Sequence, residues 1–170
     1  MIRRILYSSL ACDRLVTKDV FDIIRQSHNR NCKNGLTGGL LFLDGYFFQV
    51  LEGLPHAVQC RYKRIARDPR HTDLVVRQDV TTASPLFSNE WMALRDASQV
   101  DPQVLDRHGY MRGMPAEKFT GRQLLEFVLD CFGKNTECLN EEMDPTHPAT
   151  SASMAPVPID ALQIQPLTAW

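Results

Sequence analysis

Two apolar runs, residues 36–43 and 46–51, are parted by Asp44-Gly45. Asp-Gly between two such runs predicts a β-hairpin, because the turn needs positive φ at both central residues and these residue types tolerate it. That hairpin constrains everything around it. Two antiparallel strands are marginal alone in water, so further strands or helices must cover them.

The flanking sequence supplies those elements. Residues 2–9 predict a strand whose apolar bulk comes from Ile2, Ile5, Leu6 and Tyr7. Thr17 caps a helix running to about residue 29, with Asp19 in its first turn and Val20, Phe21, Ile23 and Ile24 as its buried stripe. Asn34-Gly35 reads as a turn. Pro55 suits the first turn of a second helix that reaches about Asp68. Residues 74–82 predict another strand with Leu74, Val76 and Val80 on one face, and residues 91–94 a short fifth strand.

The order β-α-β-β-α-β is that of a ferredoxin-like α+β sandwich, here with an extra strand. Strands one and three then lie side by side in the middle of the sheet. Both helices cover one face, and the other face must find its own cover. Asp101-Pro102 opens a short helix that Gly109 ends, and residues 117–132 predict a longer one, with Leu124, Leu125, Val128, Leu129 and Phe132 apolar and Gly133 as its stop. These C-terminal helices are the expected cover. The chain thus divides into a unit of residues 1–96, a helical extension of residues 97–133, and an irregular or mobile tail of residues 134–170. Within that tail, residues 144–170 hold five prolines and no Lys or Arg.

Composition closes several routes. With 19 basic and 20 acidic residues the net charge is −1, which argues against nucleic acid as a partner. No apolar stretch approaches the ~18 residues of a membrane span, and the start is too short in its apolar run for a secretory signal. Five widely spaced cysteines form no CxxC pair and read as reduced thiols of a cytoplasmic protein. The five histidines do not cluster, so no metal site is expected.

Gln49 is the most informative residue. It interrupts the apolar run Tyr46-Phe47-Phe48-Gln49-Val50-Leu51. A buried amide costs about 1–3 kcal/mol if its hydrogen bonds are unmade. Tyr7, on the adjacent central strand, is its natural partner, either as a structural pair or as part of a site. Asn31 follows the first helix in a polar cluster that turn chemistry alone could explain. The second helix carries Arg61, Lys63, Arg64 and Arg67, followed by Arg70. Lys63, Arg67 and Arg70 share a face by spacing, as a solvated stripe or as a phosphate clamp.

Three segments then occur in one order: Leu6-Tyr7-Ser8-Ser9, Arg30-Asn31-x-x-Asn34-Gly35-Leu36-Thr37-Gly38, and Phe48-Gln49-Val50-Leu51-Glu52-Gly53. Together they resemble the BLUF family, the bacterial flavin-binding blue-light sensors, over residues 2–96. The resemblance implies a flavin between the two sandwich helices, FAD first, with FMN or riboflavin as possible substitutes. It implies that Tyr7 is the photochemical electron and proton donor and that Gln49 bridges Tyr7 and the flavin. It also implies that Asn31 holds the flavin carbonyl region and that Arg64 meets its ribityl-phosphate part. Arg30 stands where the family often has Asn or His beside that Asn. Gly39 stands where an apolar residue is common. In Glu90-Trp91-Met92, either Trp91 or Met92 could approach Gln49.

About 75 residues follow the sensor, too few for a catalytic domain of ordinary size. The expectation is a stand-alone, non-enzymatic sensor, homo-oligomeric and provisionally dimeric, that signals to a separate partner protein. Two rivals are a flavin-free interaction module and a small phosphate-binding enzyme.

Overall fold

The computed structural model describes residues 1–12, 17–136 and 139. The expected tail falls almost wholly outside them, as do Cys138 and the side chains of Thr17 and Phe21. Five strands form one sheet: β1 (Ile2–Ala11), β2 (Thr37–Leu43), β3 (Tyr46–Gly53), β4 (His71–Thr82) and β5 (Ala93–Asp96). Their order is β4-β1-β3-β2-β5. β4, β1, β3 and β2 run antiparallel, and β5 adds to the edge parallel to β2. This is the predicted ferredoxin-like α+β sheet, with β1 and β3 in the middle. The hairpin forms at Asp44 and Gly45, whose φ angles are 50° and 83°.

Helices α1 (Thr17–Lys33) and α2 (Pro55–Ile65) lie on one face. Two separate buried groups fill that side. One gathers Ile5, Tyr7, Leu36, Leu51 and Val58; the other Val20, Ile23, Leu40, Phe47 and Met92. The opposite face is covered by α3 (Pro102–Arg107), a 3₁₀ turn (Ala116–Lys118) and α4 (Gly121–Cys131). There Leu6, Leu41, Phe48 and Val50 of the sheet join Val104, Tyr110, Phe119, Leu124, Phe127 and Val128 in one core. Phe127 is its hub, stacked on Tyr110 at 5.2 Å and on Phe119 at 5.4 Å. The C-terminal helices are therefore structural parts of the sandwich.

Four local expectations need correction. Helix α1 continues to Lys33, so Arg30 and Asn31 sit in its last turn instead of beyond it. Nothing breaks the helix before Gly35, whose φ of 62° ends it, while Leu36 N–H returns to the Asn31 carbonyl at 3.0 Å. The long helix expected from residue 117 is a 3₁₀ turn followed by α4, because Thr120 and Gln123 close a reciprocal capping box that fixes the start. Strand β4 bulges at two places against β1. The first bulge puts Val76 opposite Tyr7 and Val80 opposite Arg4, so these two valines occupy opposite faces. Finally, α2 ends at Ile65, and Arg70 lies beyond it, paired with Asp68. Lys63, Arg67 and Arg70 form no helical stripe.

One buried charge pair was not anticipated. Arg4 and Glu52 face each other across β1 and β3 at 2.7 Å, 1% and 0% exposed.

Candidate functional site

Tyr7 and Gln49 are paired directly in the β1–β3 register. Both project toward α1 and α2 and both are buried. The Tyr7 hydroxyl donates to Gln49 Oε1. Burial first, then the neighbouring Tyr62, holds the Tyr7 hydroxyl well above its ordinary value of 10.0. Tyr7 is therefore neutral and keeps its proton at any physiological pH.

The other end of the amide is also engaged. Gln49 Nε2 donates to Met92 Sδ at 3.5 Å. Of the two candidates at this position, Met92 is the one whose side chain meets Gln49. Trp91 is half-buried and contributes its backbone: its carbonyl accepts from Asn31 Nδ2 at 2.7 Å. The strand begins only at Ala93, so Trp91 and Met92 form the approach to β5.

Asn31 is fully buried, and its Oδ1 has no hydrogen-bond partner among the described residues. An orphaned carbonyl in the interior costs about 1–3 kcal/mol unless a donor arrives. Its surroundings fit a planar ligand with a donor edge. The apolar groups on this face stay separate, with Tyr7 of one and Leu40 of the other flanking Gln49 in the sheet register. A flavin offers the missing N–H donor and a flat apolar body, so the residues present fit the group.

Positive charge gathers at the same end. Burial, then Arg30, then Arg64 depress the Arg61 guanidinium below its ordinary value. These three arginines are thus close enough to repel. Arg61 is 6% exposed, and no carboxylate among the described residues pairs with it. Arg64 and Arg30 are exposed. Sequence reading placed Arg61 in the basic stretch of the second helix but gave a site role only to Arg30 and Arg64. The available signal was its place in α2 three residues after Val58, on the side that meets the sheet.

Among the described residues no group of His, Cys, Asp and Glu could hold a metal, and no helix is long and apolar enough to cross a membrane.

Comparisons with known proteins agree with this geometry. The chain is 36% identical over 85 residues to the photoactivated adenylate cyclase subunit beta of Euglena gracilis, covering 50% of this chain and 10% of that protein. It is 35% identical over 75 residues to the blue light- and temperature-regulated antirepressor BluF of Escherichia coli (strain K12), covering 44% and 19% respectively. The chain thus spans a small part of the curated relatives it matches. The solved photo-activated state of BlsA superposes with a TM-score of 0.69 at 21% identity, covering 79% of this chain and 97% of that one, a likeness of fold. Residues 2–93, more than half of the chain, match the family described as sensors of blue light using FAD: the chain belongs to the BLUF family of flavin-binding blue-light sensors.

Proposed function

We propose that Tyr7, Gln49 and Met92 form the light-responsive chain of this sensor, beside a flavin held by Asn31 between α1 and α2. The observation that carries this reading is the Tyr7–Gln49–Met92 line of buried polar contacts next to Asn31 Oδ1, which has no partner among the described residues. Bound there, the flavin supplies visible absorption and an electron acceptor after excitation. Everything else falls to the protein. Tyr7 is a neutral phenol whose O–H donates to one acceptor, which suits an electron and proton donor. Gln49 has distinct ends, a carbonyl toward Tyr7 and an NH₂ toward Met92. Turning the amide over presents the NH₂ to Tyr7 and withdraws the donor from Met92. That exchange rewires the approach to β5 without any change of charge.

The finer assignments belong to the same proposal. Arg30, Arg61 and Arg64 favour a flavin with phosphate, so FAD or FMN should bind more tightly than riboflavin. The output passes through α3 and α4 to a separate cytoplasmic partner. Homodimerisation would use the outer surface of these helices, because they already fill the sheet face beneath them.

The deciding experiment is the visible spectrum of the purified protein before and after blue light. A flavin spectrum that shifts slightly to the red and returns in the dark supports the sensor. A flavin that only bleaches points to redox chemistry, and a protein that takes up no flavin removes the proposal.

A further inference from the structure

Glu52 closes the strand that carries Gln49, but it faces the opposite side of the sheet. Its carboxylate accepts from Arg4 Nε at 2.7 Å, from Leu86 N–H at 2.9 Å and from Phe87 N–H at 3.0 Å. Arg4 also donates to the Ser84 carbonyl at 3.2 Å. Two central strands and one loop therefore converge on a fully buried carboxylate. A buried ion pair is a poor source of stability, since replacing both partners with apolar groups is often neutral. Charge-assisted hydrogen bonds of ordinary length are much better at fixing position.

What they fix is the start of the segment that ends at Met92. Glu90 N–H returns to the Phe87 carbonyl at 3.2 Å, and the Glu90 carbonyl accepts from Gly38 N–H at 2.9 Å. The chain then passes over the edge of β2 to the face that holds Gln49. Trp91 meets Asn31, and Met92 meets Gln49. We propose that Glu52, braced by Arg4, is a positioning residue that sets Met92 against the Gln49 amide and so tunes the light-induced shift and its dark lifetime. The proposal rests on the sensor reading above. Glu52 acts from the far side of the sheet, through the loop.

The test uses the full 170-residue chain with its flavin. Removing Glu52 alone strands Arg4 in the core, so the informative variant is Arg4→Met with Glu52→Gln, which leaves no unpaired charge. Methionine methyl resonances are recorded in the dark, with Met92 assigned by Met92→Leu. Met92 should shift or broaden while exposed Met111 stays in place. Dark recovery should change at least threefold. In a Met92→Leu background the same pair of substitutions should leave recovery unchanged. An unmoved Met92 methyl overturns the proposal, as does an equal change of recovery in both backgrounds. If the wild-type flavoprotein shows no reversible shift, the sensor reading fails, and the methyl resonance still decides whether Glu52 positions Met92. If the paired variant does not fold, Glu52→Asp keeps the charge, shortens the reach, and is judged by the same readouts.

Discussion

Tyr7 and Gln49 lie 42 residues apart and meet only because the β1–β3 register sets them opposite each other. Tyr7→Phe removes the hydroxyl and little else, so the variant should keep its flavin and lose the reversible shift entirely. An ordinary shift in Tyr7→Phe, read by absorption difference, would sink the assigned role. Gln49→Leu should likewise bind flavin and stay silent, at a stability cost of about 1–3 kcal/mol because Tyr7 is left without its acceptor. His71 sets a separate, pH-dependent trait. It lies 4.8 Å from the Phe47 ring, and its Nδ1 is 2.9 Å from Ser9 Oγ. Burial lowers its pKa from 6.5, only partly opposed by Asp68. The unfolded chain thus binds a proton more readily than the folded one, and stability must fall as pH drops below 6.5 toward the lower folded value. His71→Gln should flatten denaturant midpoints across that window. Asp68, held low by its bond to Arg70, adds a second loss only below about its ordinary 3.8.

At the scale of elements, the contact between β2 and the loop before β5 explains the second glycine of the Gly38-Gly39 pair, while the first lies against the Val50 backbone of β3. A Cβ at Gly39 would stand 2.3 Å from the Phe87 ring. That ring is fully buried and meets Phe132, at the end of α4, edge-on at 5.2 Å. Phe87 thus fills the space that a side chain at position 39 would take. Gly39→Ala should cost about 1–3 kcal/mol by overpacking, and Phe87→Leu in the same chain should recover part of it, as denaturant melts would show. The hairpin, the Pro55 start of α2 and the Asp101 cap were legible because each is a local signal within a few residues. The end of α1 was not, because a polar run looks like a turn until tertiary contacts hold it helical. The same limit hid Arg4–Glu52 and the faces of β4. Both depend on register and bulges, which pair residues far apart in sequence. Gln49 and its partner Tyr7 could be picked out as a buried polar pair, whereas Asn31 looked like part of a turn and gained its role only from the family resemblance, and the choice of Met92 over Trp91 needed the true start of β5.

For the whole molecule, the sensing unit and its extension share one core. Cutting the chain after Asp96 would expose Leu6, Leu41, Phe48 and Val50 together, a contiguous apolar face. Such a fragment should be aggregation-prone or self-associated, and size-exclusion chromatography with light scattering would report it. A stable monomeric fragment would instead make the extension dispensable for folding. The strands are also unequal in what holds them. β5 is four residues long and pairs with β2 alone, at the edge of the sheet. It can leave without breaking any other strand pair. In amide hydrogen exchange, residues 93–96 should lose protection first among the strands, through openings far smaller than global unfolding. The strand that follows Met92 would then be the part of the sheet that can be released and recaptured repeatedly while the rest stays folded.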